Sequence, residues 1–195
     1  MGIRSFGVTP RTAVGMYASA YTGSQQVYEH PLQMLTATME LVPMTRESGA
    51  GDWIGALWSL NGPAGTFYMG DTAYISPRGV GTGSPLVKGA SQSGNTLLTD
   101  GWTNSQTGIL KAGDWIQVGS GSTRQLCRIV ADADSDGSGN ATLEIWPRIR
   151  TAFADNTAIT VTSPKGVWRL VEPVGHSWDV DKFSRGITIN CMEAF

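Results

Sequence analysis

At 195 residues the chain is long enough to bury a sizeable core, as one large β domain or two small ones, and length alone does not choose between them. Charged residues are only 15% of the total and the formal net charge is −2, which argues against a protein built to grip nucleic acid, because phosphate neutralisation needs clustered Lys and Arg. Its 25 glycines, set among uncharged Ser, Thr, Asn and Gln, point to many tight turns between short strands and so to a mainly β protein.

Met1 to Pro10 lacks a basic start followed by an apolar stretch, so no secretory signal is expected. No apolar run approaches the ~20 residues that span a bilayer, and a soluble chain made in a cytoplasm is the expectation. Thr12 to Ala20 is β-compatible, Tyr21-Thr22-Gly23-Ser24 supplies turn chemistry and Gln25 to Tyr28 follows, which predicts a first hairpin. Leu35, Ala37, Met39 and Leu41 then alternate with Thr36, Thr38, Glu40 and Val42, one apolar row that should face a core. Thr45-Arg46-Glu47-Ser48 offers cap residues ahead of Trp53, Ala56, Leu57 and Leu60 at helical spacing, and Asn61-Gly62-Pro63 ends that helix. Phe67-Tyr68-Met69 reads as a short aromatic strand, and from Ser76 to Asn95 the chain is dominated by Gly, Ser, Pro and Thr.

Ser76-Pro77-Arg78-Gly79-Val80 recurs in kind as Ser163-Pro164-Lys165-Gly166-Val167, which reads as two crossings of one boundary. Short β runs lie between them at Gly108 to Lys111, Trp115 to Val118, Gln125 to Ala131, Ala141 to Trp146 and Ala158 to Thr162, enough for a small barrel or sandwich. Trp168 to Val171 and the alternating Ile187, Ile189 and Cys191 follow. A lone C-terminal hairpin is marginal in water, so this end should complete the sheet begun by residues 1–75. The predicted fold is mainly β: a discontinuous β-sandwich over 1–80 and 167–195 with one short helix, interrupted by an inserted small β-barrel, OB-like or galectin-like, over 86–163, with linkers at 76–95 and 162–167.

No catalytic or cofactor-binding constellation emerges. Glu29 and His30 are neighbours on a strand and point to opposite faces, and His176 beside Ser177, with Asp179 and Asp181 nearby, is not the spatial arrangement of a triad. Asp132-Ala133-Asp134-Ser135-Asp136-Gly137 matches the opening of an EF-hand loop, but its twelfth position is Leu143, with Glu144 one place late. Asp132, Asp134 and Asp136 are therefore a weak calcium candidate against the reading of an acidic hairpin tip. Of the seven tryptophans, Trp53 and Trp58 are assigned to a helix face and Trp115, Trp146, Trp168 and Trp178 to β runs, as core or interface. Trp102, in a turn-rich segment, is the candidate exposed contact. Arg148 and Arg150 share one face of a strand, read as solvated, and Cys127 and Cys191 read as buried free thiols.

Thr22-Gly23-Ser24-Gln25-Gln26-Val27-Tyr28-Glu29-His30-Pro31 resembles the early segment of distal tail proteins of long, non-contractile phage tails. The order that follows is similar too: the strand ending near Pro43, the Trp-containing helix, Gly65 to Asp71, the phrase Leu110 to Gly119, the run Ala131 to Arg150 and the close from Trp178 to Phe195. The resemblance implies a non-enzymatic virion protein, a homo-hexameric ring below the tail tube protein and above the tail-tip hub and fibre proteins, with DNA passing transiently through the lumen. A tail tube or terminator subunit, and a carbohydrate-binding tail-tip module, are the competing readings.

Overall fold

The computed structural model of the chain describes residues 2–195. It opens with β1 (Ile3–Ala18) and β2 (Gln25–Leu41), followed by β3 (Met44–Thr45), helix α1 (Gly51–Ser59) and β4 (Phe67–Met69). Then come β5 (Gly83–Val87), β6 (Gly94–Trp102), β7 (Trp115–Val118), β8 (Gln125–Ile129), β9 (Ala141–Ile149) and β10 (Ile159–Thr160). The chain ends with β11 (Gly166–Leu170), β12 (Ser177–Trp178), β13 (Phe183–Arg185) and β14 (Thr188–Glu193). The protein is mainly β, with one short α-helix and a nearly closed barrel.

Three sheets organise these strands: five in the order β1-β2-β14-β11-β4, six in the order β10-β7-β8-β9-β6-β5, and a three-stranded ribbon β12-β13-β3. In the first, β14 pairs antiparallel with β2, so the end of the chain is hydrogen-bonded to its beginning. The second rolls up until its edge strands meet, with Leu86 bridging Ala158 and the Val87 amide donating to the Thr157 carbonyl at 2.9 Å. Sheets that close in this way leave no long edge to pair with a stranger. Leu97, Ile109, Leu110, Ile116, Leu143 and Ile145 fill the barrel interior.

The row Leu35, Ala37, Met39 and Leu41 is buried along its whole length, as its alternation requires. Met39 and Leu41 lie under α1 with Leu57, Ile187 and Ile189, whereas Leu35 and Ala37 pack with Trp115 and Leu126 of the barrel, together with Trp168 and Cys191. Thr45 caps the turn leading into α1: its Oγ1 accepts from the Ser48 amide at 3.1 Å, and Ser48 Oγ accepts from the Thr45 amide at 2.9 Å. The opposite face is largely uncovered where β1, β2 and β14 run together. There the register places Ser5, Gly7 and Thr9 of β1 beside Glu40, Thr38 and Thr36 of β2, and next to these Thr188, Asn190 and Met192 of β14.

The two similar segments run side by side, since the Ser163 amide donates to the Ile75 carbonyl at 2.9 Å. The fully buried Asp114 carboxylate anchors the first, accepting from the amides of Arg78 and Gly79, and the Gln117 side chain accepts from the Lys165 amide of the second. Two local expectations fail. The stretch 76–95, read as linker, contains β5, because Pro85 and Val87 point into the barrel despite the turn-like composition around them. Gly108 to Lys111 forms no strand; it makes a single bridge from Leu110 to Ala133.

Candidate functional site

The acidic loop does not assemble a cation site. Asp132 accepts from the Ala112 amide and from Lys111 Nζ, each at 2.9 Å, while Asp134 accepts from the Gly108 amide at 2.6 Å. Asp136 accepts from the amides of Ser138 and Asn140 and from Asn140 Nδ2, each at 2.8 Å. The three carboxylates thus cap three different stretches of backbone instead of converging, and among the described residues no group of three or more His, Cys, Asp or Glu is placed to hold a metal ion. The Ala112 amide holds Asp132, and the Asn140 side chain holds Asp136, below the ordinary carboxylate range.

Trp115 and Trp168 are buried as expected, but the expected exposure of Trp102, Trp58 and Trp178 is reversed. Trp102 is 3% exposed, because it turns into the barrel mouth where Nε1 donates to Thr99 Oγ1 at 2.8 Å and that hydroxyl donates onward to the Ala141 carbonyl. Trp58 is 61% and Trp178 41% exposed. Trp58 falls outside the stripe of Trp53, Leu57 and Leu60 that faces the sheet, and its Nε1 donates to the Val174 carbonyl at 3.1 Å, which fixes the ring. His176 lies between these two rings with centroids 5.6 Å from each, and its Nδ1 is buried without a partner. Trp58, His176 and Trp178 form an aromatic ledge.

Arg150 is likewise not on a solvated face. Its side chain is 13% exposed and ion-paired to Glu193, which is 2% exposed and also accepts from the Leu35 amide at 3.0 Å. Arg150 Nη1 donates to the Gln33 carbonyl at 3.1 Å, and the Gln33 side-chain oxygen accepts from the Arg148 amide at 2.8 Å and from Asn95 Nδ2 at 3.0 Å. These contacts clasp the barrel to β2. Cys127 and Cys191 are free and buried, and burial pushes both thiols up to about 12, so neither is a nucleophile near neutral pH.

The most prominent feature begins just beyond that clasp. At Pro31-Leu32 the pairing of β1 with β2 shifts, from Thr12 opposite Gln33 to Ala13 opposite His30. Past this bulge the two strands continue as a ribbon, Ala13–Ala18 against Gln25–His30, in which no residue is buried. Cross-strand neighbours share a face, so Val14, Met16 and Val27 line one side of this arm and Tyr17 and Tyr28 the other, with Tyr21 fully exposed at the tip. Because β14 pairs β2 only from Thr36 to Glu40, both edges of the arm are free. The sequence signals a hairpin here but not its isolation: apolar residues on both faces of a strand are the usual mark of a fully buried one.

No family model matches the chain, and no curated protein matches it.

Proposed function

We propose that the protein is a structural subunit of a phage tail, a member of a homo-hexameric ring that joins the tail tube to the tail-tip hub and fibres and leaves a lumen for DNA. The observation that carries the assembly part is the arm: a two-stranded ribbon with free edges and apolar side chains on both faces has reason to persist only if another surface covers it. The tail part rests on the resemblance of Thr22 to Pro31, and of the order of segments after it, to distal tail proteins. In this reading residues 1–80 and 167–195 build the ring and 86–163 form an inserted domain that projects from it.

The uncovered face suits a lumen along Ser5 to Thr9 of β1 and the partners on β2 and β14, where Glu40 is the one charged residue, with Arg11 and Arg169 of β11 standing at its margins. A tube subunit would also use an arm, and stacked tubes in place of single rings would favour that alternative. The carbohydrate-binding reading loses Trp102 as its exposed contact and would have to rest on Trp58 and Trp178 instead. Particle mass and class-averaged images of the purified protein test the proposal. Six-membered rings are expected, and a monodisperse monomer over a wide concentration range would overturn it.

A further inference from the structure

We infer that the arm of one copy seats on the aromatic ledge of the next, the two being halves of a single head-to-tail contact; this rests on the ring-subunit reading above. Arm and ledge lie at opposite ends of one strand. The arm departs from the start of β2 beyond Gln33, and the ledge adjoins the ribbon β12-β13-β3, whose strand β3 follows the end of β2 at Leu41. Because β2 runs as one strand from Gln25 to Leu41, the arm continues it away from the end at which the ledge lies, and does not fold back onto the ledge of its own copy. Contact between them joins two copies through different surfaces, the heterologous geometry that closes into a ring when its rotation closes.

The surfaces match in size and chemistry. Val14, Met16, Tyr17, Tyr21, Val27 and Tyr28 are each at least half exposed. Together they offer an accessible area on the order of 800 Å², the size of one side of a standard interface, of which the ledge would cover one face of the arm and its tip. The ledge supplies fixed indole rings flanked by a groove of about 340 Å³ against Pro173 and Val174 and another of about 560 Å³ lipped by Arg46, Glu47 and Asp181. A tyrosine entering either groove lays its ring on tryptophan and keeps its hydroxyl at a polar lip, the pairing that dominates interface hot spots. Val180, at 99% exposure, stands beside the ledge with nothing of its own chain to cover it. A second copy is the occupant because every copy carries both halves, and each half exposes apolar surface that the other would cover.

Two single-cysteine additions test the contact directly, since both native thiols are buried. Met16→Cys protein mixed with Val180→Cys protein and a short bis-maleimide is expected to give a cross-linked pair joining one of each, with neither protein alone giving it. Separately, Tyr17→Ser/Tyr28→Ser and Trp58→Ala/Trp178→Ala proteins with unchanged far-ultraviolet circular dichroism should each assemble only at concentrations at least about tenfold higher than wild type. Mixed one to one, they should form dimers and nothing larger, because a single intact arm–ledge pair remains. Rings that form without the cross-link, or a ledge variant that assembles like wild type, would overturn the contact and leave the ring reading standing. Cross-linked open filaments would uphold the contact and overturn the ring, and uncross-linked monomer throughout would overturn both.

Discussion

Gly70 and Gly79 occupy places where the chain slips past its own backbone with no room for a side chain. A Cβ on Gly70 would overlap the Pro164 carbonyl oxygen, and one on Gly79 the Ile109 carbonyl oxygen. Neither backbone is left-handed, so the constraint is space and not conformation. Because the obstacle is main chain at a paired crossing, relief requires the two segments to separate. Gly70→Ala should lower stability by about 1–3 kcal/mol, read as a shift of the urea midpoint at unchanged slope. An unchanged midpoint would mean that the crossing yields. The same packing logic explains Trp102: a large indole whose N–H finds Thr99 inside the barrel has no reason to face water, and the turn-like residues around it conceal that partner.

Among elements, the contact most exposed to test is the clasp between β9 and β14. With Arg150→Met, the Glu193 carboxylate remains buried without its counter-ion, and a loss of about 3–5 kcal/mol is expected. Adding Glu193→Gln should recover most of it, because the neutral amide strands no charge and its oxygen can still accept from the Leu35 amide; a double-mutant cycle by denaturant titration measures this, and simple additivity would refute the coupling. This clasp marks a limit of what the chain discloses. Arg148 and Arg150 alternate as a solvated strand face would, and only the return of β14, 43 residues along the chain, brings Glu193 to Arg150. Local signals succeeded where the burying partner is implied by the pattern itself, as in the row Leu35 to Leu41 or the Thr45 cap, and failed where it is remote. The strand β5 escaped for a related reason: Gly83-Ser84-Pro85 has turn chemistry, and its pairing with β6 and closure onto β10 are supplied by distant sequence.

At the scale of the molecule, the barrel and the five-stranded sheet are not independent bodies on a string. Leu35, Ala37 and Cys191 of the sheet share an apolar cluster with Trp115 and Leu126 of the barrel, and the clasp and both crossings lie beside it. A single cooperative melting transition is therefore expected, with tryptophan fluorescence and far-ultraviolet signals coinciding. Two resolved transitions would show that the cluster is too small to couple the sheets. The arm contributes little to this stability, having nothing buried along it. The uncovered sheet face has a different consequence. Two of its hydroxyls are satisfied within the sheet, Thr36 Oγ1 donating to the Thr9 carbonyl and Thr38 Oγ1 to the Asn190 side chain, each at 3.1 Å. Glu40 stands among them with no cation from Ser5 to Thr9 or on the paired positions of β2 and β14. Such a stretch offers a passing polyanion no cation to displace its counter-ions, and with Arg11 and Arg169 only at its margins it would behave as a low-friction lining whose drag varies little with salt or sequence.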